Sequence, residues 1–364
     1  MQFFSNNKTR SPQTRRDLNM VCCHIVPEDI LRKLAKDTEF SDATRKALVD
    51  TAAVDNKRRQ IRSMRAEVST MISLPIPFPI PFPFPTKLVP VSVYTCNHTQ
   101  SLPGALINNP GTSADPTAKH VFTETRSLAK FYQSVFKRYS IDNAGMALLS
   151  SIHYGNLYNN AFWNGSQMTY GDGDGQIFLD FSRGNDVIGH ELTHGVTQHT
   201  LQLVYSNEPG GLNESLSDCF GSMFRQWEAG QTAAQADWLI GKDIMGPAAV
   251  AKGLTCLRDM ANPAAKHCLA PQPTQYSQIK PGMDPHYSSG PPNLAFYTAC
   301  MKAGGKSWET IGQVWYKSMS GFGPSPNLGM KDFANRTRTV AAQLFPAKPA
   351  VAAAVDYGWK HVGL

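Results

Sequence analysis

The sequence has little charge and no long apolar run. Charged residues make up 17% of its 364 residues and apolar residues 41%, a composition typical of a globular chain. No segment approaches the roughly 20 consecutive apolar residues of a membrane-spanning helix. We therefore expect a soluble globular protein without a membrane partner. Since a single core rarely grows to this length, two lobes are favoured over one.

The sequence also lacks a secretory signal and a disulfide framework. Residues 1–20 are polar and basic and contain no apolar signal core, so a cytoplasmic precursor or non-classical export is expected. The seven cysteines are an odd number at wide spacings, which does not fit a disulfide scaffold. Cys256 and Cys268 either pair across a loop or are separate buried thiols.

Excess positive charge is confined to the N-terminal segment. Residues 1–66 hold 14 Lys and Arg against 8 Asp and Glu, whereas the rest of the chain holds 21 against 20. No aromatic residues interleave with these charges, so nucleic acid is not an expected partner. We interpret the basic segment as solvated, helical and removable.

Two patterns follow one another before residue 87. Residues 27–63 favour two short charged helices, the first opening after Pro27 and the second capped by Ser41. Residues 74–85, LPIPFPIPFPFP, carry proline at every second position, which predicts an extended, polyproline-like strip. The strip is either a stiff spacer or a segment that docks in a groove.

Beyond residue 87 the predicted elements are mainly strands first and mainly helices later. Alternating apolar residues and turn signals prevail up to residue 181, with one helical pattern at 125–140. From residue 184 to the end, helical spacing dominates. This order predicts an α+β fold of two lobes. The expected division is an N-terminal segment with linker, a strand-rich lobe and a helical lobe: 1–86, 87–204 and 205–364.

The stretch GHELTHGVTQH, residues 189–199, places three histidines and one glutamate on a predicted helix. His190 and His194 are four residues apart, so their imidazoles share one face. Glu191 lies beside that face, whereas His199 is about 140° further round the helix and is assigned to packing or the surface. The H-E-x-x-H pattern is the helical zinc motif of metalloproteases.

A catalytic zinc needs a third protein ligand and an open position for water. Residues 210–224, GGLNESLSDCFGSMF, favour a helix that opens at Gly211 or Asn213. Glu214 and Asp218 are again four residues apart. We predict Glu214 as the third ligand and Asp218 as the acceptor for the free N–H of a ligating histidine. Taken alone, this segment also fits an ordinary amphipathic helix with a polar edge.

These motifs together resemble the thermolysin family of zinc metallopeptidases. The separation of twenty-four positions between His190 and Glu214 agrees with the family. So do the stretches NNAFWNGSQMTYGDGDG upstream and HYSSGPPNLAFY downstream. The resemblance covers residues 90–364. It implies the family's α+β fold, in which the zinc helix lies between a strand-rich N-terminal lobe and a helical C-terminal lobe. It also implies protein or peptide substrates.

The resemblance implies a role for each matching residue. His190, His194 and Glu214 match the zinc ligands, and Glu191 matches the general base. The pair that stabilises the tetrahedral oxyanion is matched by Tyr205 and His286.

Further matches concern substrate binding. Asn160 and the carbonyl of Ala161 match groups that hold the substrate backbone, and Arg258 resembles the arginine at the base of the primed-side pocket. The apolar lining of that pocket is matched by Phe178, Phe181, Val187, Ile240, Ile244 and Leu257. Each of these six has an alternative reading as an ordinary core residue. An apolar pocket implies cleavage before bulky hydrophobic residues.

The sequence departs from the family where the family binds calcium. That double site is a cluster of carboxylates, the oxygen ligands that hard cations need. Asp186 and Asp237 match it, but Arg225, Leu239 and Lys242 stand where acids are expected. We therefore expect one zinc ion and no structural calcium; the YGDGDG stretch is interpreted as a tight turn.

Two further departures lie near the expected zinc. The aspartate that usually orients the oxyanion histidine is replaced by Pro281, and Asp284 offers a carboxylate at a different offset from His286, which leaves the orienting group open. VCCHIVPEDILRKLA resembles the short prosegment of the protealysin-like branch. Such a prosegment implies a latent precursor with its own intramolecular inhibitor. Cys22 or Cys23 either supplies a thiolate to the zinc or is a buried thiol.

Three functions are compatible with these observations. The favoured one is a zinc endopeptidase made as a latent precursor. The second is a catalytically silent binding protein on the same scaffold, although such proteins usually lose the base or a ligand, and here all remain. The third is a zinc enzyme with a narrow non-protein substrate.

Overall fold

The computed structural model describes residues 23–69 and 88–364. Its strands are β1 (Cys23–His24), β2 (Val91–Thr95), β3 (Ala105–Leu106), β4 (Leu148–Ile152), β5 (Ala161–Trp163), β6 (Met168–Tyr170), β7 (Leu239–Ile240) and β8 (Arg258–Asp259). Its α-helices are α1 (Glu28–Leu34), α2 (Asp42–Ser69), α3 (Pro116–Phe136), α4 (Asn185–Gln198), α5 (Asn207–Glu228), α6 (Pro247–Ala251), α7 (Pro285–Ser288), α8 (Gly290–Ala303), α9 (Ile311–Ser320), α10 (Met330–Leu344) and α11 (Pro349–His361). The predicted α+β class, strand-rich first and helix-rich second, is confirmed.

The main sheet has six strands in the order β1-β5-β6-β4-β2-β3. β2, β4 and β6 run parallel, whereas β5 is antiparallel to β6. The edge strand β1 comes from the N-terminal segment and pairs antiparallel with β5, with Cys23 opposite Trp163 and His24 opposite Phe162. A segment that was predicted to be separable therefore completes one edge of the sheet.

Helix α3 connects the sheet to the predicted zinc helix. The Asp115 side chain caps it, accepting hydrogen bonds from the backbone N–H groups of Thr117 and Ala118, which would otherwise have no partner in the helix. The Tyr132 hydroxyl is 2.7 Å from Thr193 Oγ1 on α4. This buried contact fixes α4 against the strand-rich lobe.

Helices α4 and α5 cross at two glycines. A Cβ atom added to Gly189 would lie 2.8 Å from the Cα atom of Gly221, and one added to Gly221 would lie 2.5 Å from the Asp186 carbonyl oxygen. Real Cβ atoms do not make such short contacts with backbone, so both positions require glycine. This close approach brings the histidines of α4 beside the carboxylates of α5.

Three predicted elements have wrong bounds. Helix α3 spans Pro116–Phe136 and not residues 125–140. Helix α5 begins at Asn207, not at Gly211 or Asn213, because Pro209 falls in the first turn, where its missing N–H costs nothing. Helix α2 has 28 residues and is not short. The proline-rich strip 74–85 and Cys22 lie outside the described residues. Within the described residues, no helix combines the length and apolarity needed to cross a membrane.

Candidate active site

Three buried ligand atoms converge between α4 and α5. His190 Nε2 and His194 Nε2 are 3.0 Å apart, and they lie 3.5 and 3.4 Å from the two carboxylate oxygens of Glu214. Nitrogen and oxygen ligands around a tetrahedral zinc are separated by about 3.4 Å. Glu214 Oε2 is buried and has no hydrogen-bond partner among the described residues. The donor set and its spacing therefore fit a zinc ion.

Asp218 holds the first imidazole. Its Oδ1 lies 2.9 Å from His190 Nδ1, which leaves Nε2 for a metal. Arg258 donates two hydrogen bonds to the same carboxylate, at 2.8 and 2.7 Å, and Asn293 donates one at 2.8 Å. Burial opposes the charge of Asp218, but Arg258 and His190 outweigh it and hold its pKa well below the ordinary value.

Neutral groups hold the second imidazole. His194 Nδ1 is 3.0 Å from Asn213 Oδ1 and 3.1 Å from Ser217 Oγ. Burial lowers the pKa of His194 to about 3, so the imidazole is neutral, as a metal ligand must be. Sequence reasoning missed both residues, although they lie on the same helix as Glu214, one before it and three after it.

Tyr205 and His286 flank the ligand cluster. The Tyr205 hydroxyl donates to Glu214 Oε1 at 2.5 Å and is 3.3 Å from His286 Nε2. Asp284 Oδ1 lies 2.7 Å from His286 Nδ1, so Asp284 is placed to orient this imidazole. Burial favours the neutral form of His286, but Glu214 and Asp284 outweigh it and raise its pKa. Glu191 follows the first ligand on α4 and is fully buried.

The residues matched to substrate-backbone binding all contact the N-terminal segment. The Ile25 N–H donates to the Ala161 carbonyl at 3.1 Å, and Arg258 Nη1 donates to the Ile25 carbonyl at 3.0 Å. The Asn160 side chain accepts from the Val26 N–H and donates to the Val26 carbonyl, both at 3.0 Å. The four backbone N–H and carbonyl groups of Ile25 and Val26 are thereby satisfied.

His24 directly precedes Ile25 and is the last residue of β1. Its carbonyl accepts a hydrogen bond from His286 Nε2, the group matched to oxyanion stabilisation. Cys23 is buried, and the cluster of metal-ligand atoms at this site consists of His190, His194 and Glu214 and does not include Cys23.

The six residues matched to the pocket lining are all buried, and two of them, Ile240 and Leu257, lie directly beside Arg258. Ile240 pairs with Arg258 across β7 and β8, and the Leu257 N–H donates to the Ile240 carbonyl at 2.9 Å. All six are at most 1% exposed and belong to the same apolar cluster as Ile25: Phe178, Phe181, Val187, Ile240, Ile244 and Leu257.

A buried carboxylate of α2 was missed by sequence reasoning. Asp55 is 1% exposed; it accepts hydrogen bonds from the Tyr158 hydroxyl and, at 2.9 Å, from Asn160 Nδ2. His24 Nε2 lies 3.2 Å away. A signal existed, because Asp55 follows the apolar Leu48 and Ala52 at helical spacing and so falls on the buried face.

A guanidinium lies among the remaining carboxylates of the calcium-matched region. Arg225 Nη1 is 2.8 Å from Asp243 and 3.4 Å from the buried Asp186, and Nη2 is 4.0 Å from Asp237. Lys242 Nζ is 3.1 Å from Asp237. The cluster is thus compensated by two side-chain cations.

Comparison with known proteins agrees with this geometry. Residues 85–198 match the thermolysin metallopeptidase catalytic domain, and residues 201–364 match the thermolysin metallopeptidase alpha-helical domain. The "Extracellular metalloprotease" of Pectobacterium carotovorum subsp. carotovorum is 38% identical over 284 residues, which is 75% of this chain and 80% of that protein. "Protease PrtS" of Photorhabdus sp. (strain Az29) is 34% identical over 75% of this chain and 76% of that protein.

A solved structure extends the likeness to the N-terminal segment. The precursor of protealysin, a metalloproteinase from Serratia proteamaculans, superposes with a TM-score of 0.77 and 32% identity, covering 94% of this chain and 99% of that one. The chain therefore belongs to the thermolysin family of zinc metallopeptidases, in its protealysin-like branch, and is a metalloendopeptidase.

Proposed function

We propose that this metalloendopeptidase is made as a latent precursor and, once activated, cleaves peptide bonds before bulky hydrophobic residues. In this proposal residues 1–86 are the prosegment and linker, 87–204 the strand-rich lobe and 205–364 the helical lobe. The observation that carries it is the course of residues 24–26 through the groove, described above.

The proposed metal ligands are His190, His194 and Glu214, which would hold one zinc ion. Bound zinc would supply Lewis acidity, which lowers the pKa of a water and polarises the scissile carbonyl. Asp218 positions the first imidazole and fixes its tautomer. A single cluster of this composition fits one catalytic ion.

Glu191 is the proposed general base. This residue directly follows the first proposed ligand on α4 and is fully buried. It takes a proton from the attacking water and passes the proton to the leaving amine. Tyr205 and His286 donate hydrogen bonds to the developing oxyanion, with Asp284 holding the imidazole.

Residues 24–26 support both the specificity and the latency. Their backbone groups bond to Ala161, Arg258 and Asn160 in consecutive order, as an extended substrate would. The His24 carbonyl is bonded to His286, so the His24–Ile25 bond lies where a scissile bond is expected. The fully buried Ile25 would then represent the bulky residue that the apolar pocket accepts.

Contacts outside the groove support the inhibitory role of the same segment. Asp29 of α1 accepts a hydrogen bond from the Tyr287 hydroxyl at 2.6 Å, and Asp37 pairs with Lys252 at 2.7 Å. Helix α1 and the turn that follows it thereby fix the strand that, in this proposal, blocks access to the metal ligands. Proteolytic removal of the segment would open the groove.

We also propose that the activated enzyme carries no structural calcium. Arg225 lies among the three aspartates of the calcium-matched region, so a guanidinium supplies the positive charge that calcium would otherwise provide. The catalytically silent alternative is less well supported, because the base and all three ligands are present and close together.

The test of the catalytic proposal is Glu191→Gln, compared with Glu309→Gln on the exposed surface. We expect casein cleavage by the activated Glu191→Gln enzyme to fall by at least about 100-fold, the usual contribution of a general base. Zinc content should be unchanged in both variants, and Glu309→Gln should cleave casein normally. Unchanged casein cleavage by Glu191→Gln would refute the assignment.

A peptide-library digest tests the specificity. Cleavage before Leu, Ile and Phe is expected, whereas cleavage before charged residues would contradict the apolar pocket.

A further inference from the structure

A second cluster of metal-ligand types lies away from the catalytic residues. Cys256 and Cys268 are 0% and 1% exposed and form an isolated parallel β-bridge. Their sulfur atoms are 3.8 Å apart. A ring nitrogen of His267 lies within 4.8 Å of both sulfurs. This chain therefore presents two thiols and one imidazole at one point, none of which has a part in the proposed reaction.

The sulfur separation fits a shared ion. Two thiolates on a tetrahedral zinc, with Zn–S bonds of about 2.3 Å, lie about 3.8 Å apart. Thiolate is a soft ligand, which binds zinc in preference to calcium or magnesium. The backbone also holds the two cysteines in register, since the Leu269 N–H donates to the Cys256 carbonyl and the Thr255 N–H to the His267 carbonyl, both at 2.9 Å.

The His267 imidazole is held in place by a neighbouring carboxylate, that of Asp259. His267 Nε2 lies 3.2 Å from Asp259 Oδ2, and Asp259 Oδ1 accepts the backbone N–H groups of Ala261 and Asn262 at 2.8 and 3.0 Å. A carboxylate fixed in this way is the usual support of a metal-ligating histidine. The His267 side chain is 40% exposed, so an ion and a completing water have access from solvent.

We propose that Cys256, His267 and Cys268 bind a second zinc ion at a structural site. Leu257 and Arg258 directly follow Cys256 and form part of the primed-side pocket. An ion here would link the loop that contains His267 and Cys268 to Cys256, just before β8. It would thereby stabilise the part of the proposed pocket that carries Arg258. This proposal is independent of the catalytic roles proposed above.

The test counts ions on the whole chain. The parent carries Glu191→Gln, which prevents self-digestion, together with Cys22→Ser and Cys23→Ser, which remove the two other candidate zinc thiols of the sequence. After zinc loading and desalting, elemental analysis should find two ions per chain. Cys256→Ser/Cys268→Ser should hold one, and the matched control Cys300→Ala, which removes a buried thiol elsewhere, should hold two.

Cobalt loading identifies the ligand atoms. Thiolate-to-cobalt charge-transfer absorption should appear in the parent and in Cys300→Ala, and it should be absent from Cys256→Ser/Cys268→Ser. His267→Ala guards against misfolding of the serine variant, because this half-exposed side chain can be removed without opening the core. It should weaken binding of the second ion by at least about 10-fold while the catalytic ion remains.

Two results would overturn the proposal. One is a single ion in the parent, with the Cys256 and Cys268 thiols alkylated equally with and without zinc. The other is a disulfide: an intact mass lower by two hydrogens, with two thiols missing from the denatured, metal-stripped chain. Protection of both thiols by zinc, reversed by a chelator, would support it.

Discussion

At the scale of single residues, one carboxylate links the proposed metal site to the substrate groove. Asp218 bonds to His190, to Arg258 and to Asn293, so it orients a proposed metal ligand and at the same time holds the guanidinium that binds the Ile25 carbonyl. All four side chains are buried. The charge of Asp218 is neutralised by Arg258, and its oxygens accept hydrogen bonds from the other side chains. Buried polar and charged groups are tolerated in a core when they are paired in this way.

Replacing Tyr205 by Phe removes the hydroxyl, which contacts Glu214 and His286, without changing the packing of the ring. We expect kcat of the activated enzyme to fall by about 100-fold or more, because one donor to an oxyanion contributes about 3 kcal/mol. KM and zinc content should change little. Tyr357→Phe, at a half-exposed ring on α11, is the control. Equal kcat in both variants would remove Tyr205 from the mechanism.

Arg225→Gln tests whether a guanidinium replaces calcium. The change leaves the buried Asp186 without its cation, so the free energy of unfolding should drop by about 2 kcal/mol, less than for a fully buried pair because Arg225 is partly exposed. Millimolar calcium should restore part of this loss in Arg225→Gln. Urea unfolding with calcium or with a calcium chelator makes the comparison.

The parent supplies the decisive control for that experiment. With Arg225 present, calcium and its chelator should give the same unfolding midpoint. A parent that loses stability when calcium is withdrawn would show that a calcium site persists despite the substitutions.

Several residues were predictable because a fixed helical spacing places them together. His190 with His194, and Glu214 with Asp218, are each four residues apart, and the structure brings both pairs to one point. Asp55 was not predicted, since its partners Tyr158 and Asn160 are more than 100 residues away. No local pattern encodes a contact of that kind.

At the scale of elements, helix ends were the least predictable features. Helix α5 starts earlier than its sequence suggests, and β1 has only two residues, too short for an alternating pattern. By contrast, the long periodic segments of α3 and α4 were recognised as helical, although the start of α3 was placed nine residues too late. Short elements exist because of their tertiary partners, which a sequence does not display.

The cap of α3 gives a prediction about pH. His153 lies between Asp172 and Asp115, at 2.8 and 3.0 Å, and Asp115 caps α3. Hydrogen bonding to Asp172, assisted by Asp115, raises the pKa of His153 to about 9 from 6.5. Because the folded pKa is the higher one, this stabilisation is complete below pH 6.5 and is lost as the pH rises through about 9.

His153→Asn should therefore flatten the pH dependence between those values. Asparagine is chosen because His153 has a left-handed φ of 52°, which asparagine tolerates. In the Glu191→Gln background, we expect a loss of about 1 kcal/mol at pH 6 and a smaller loss at pH 9.5, since the pair is partly exposed. His361→Asn is the control. An equal loss at both pH values would argue against a charged His153.

At the scale of the whole molecule, the chain folds around its own N-terminal segment. The segment supplies a strand to the sheet, the backbone groups of residues 24–26 to the proposed substrate groove and a buried carboxylate to the cluster of Tyr158 and Asn160. The fold class and the family were predictable from long motifs. The way the segment occupies the groove was not, because it depends on backbone hydrogen bonds that any sequence can make.

Asp55→Ala tests this arrangement on the full chain. The change removes a hydrogen-bond acceptor from Tyr158 and Asn160 at a buried interface, which should cost about 1–3 kcal/mol and so weaken prosegment docking by about 5- to 150-fold. We expect self-processing, followed by intact mass against time, to be correspondingly faster. The matched control is Asp50→Ala on the same helix, because Asp50 is 57% exposed and pairs only at the surface, with Lys46.

The activated enzymes distinguish a docking effect from a general defect. Once the segment is removed, neither Asp50 nor Asp55 remains, so kcat/KM should be the same for the parent and both variants. If Asp55→Ala stayed as latent as the parent while Asp50→Ala behaved normally, the buried carboxylate would not contribute to inhibition. Latency would then depend on the backbone bonds of residues 24–26, and Ile25→Asp, which places a charge in the apolar pocket, should abolish it.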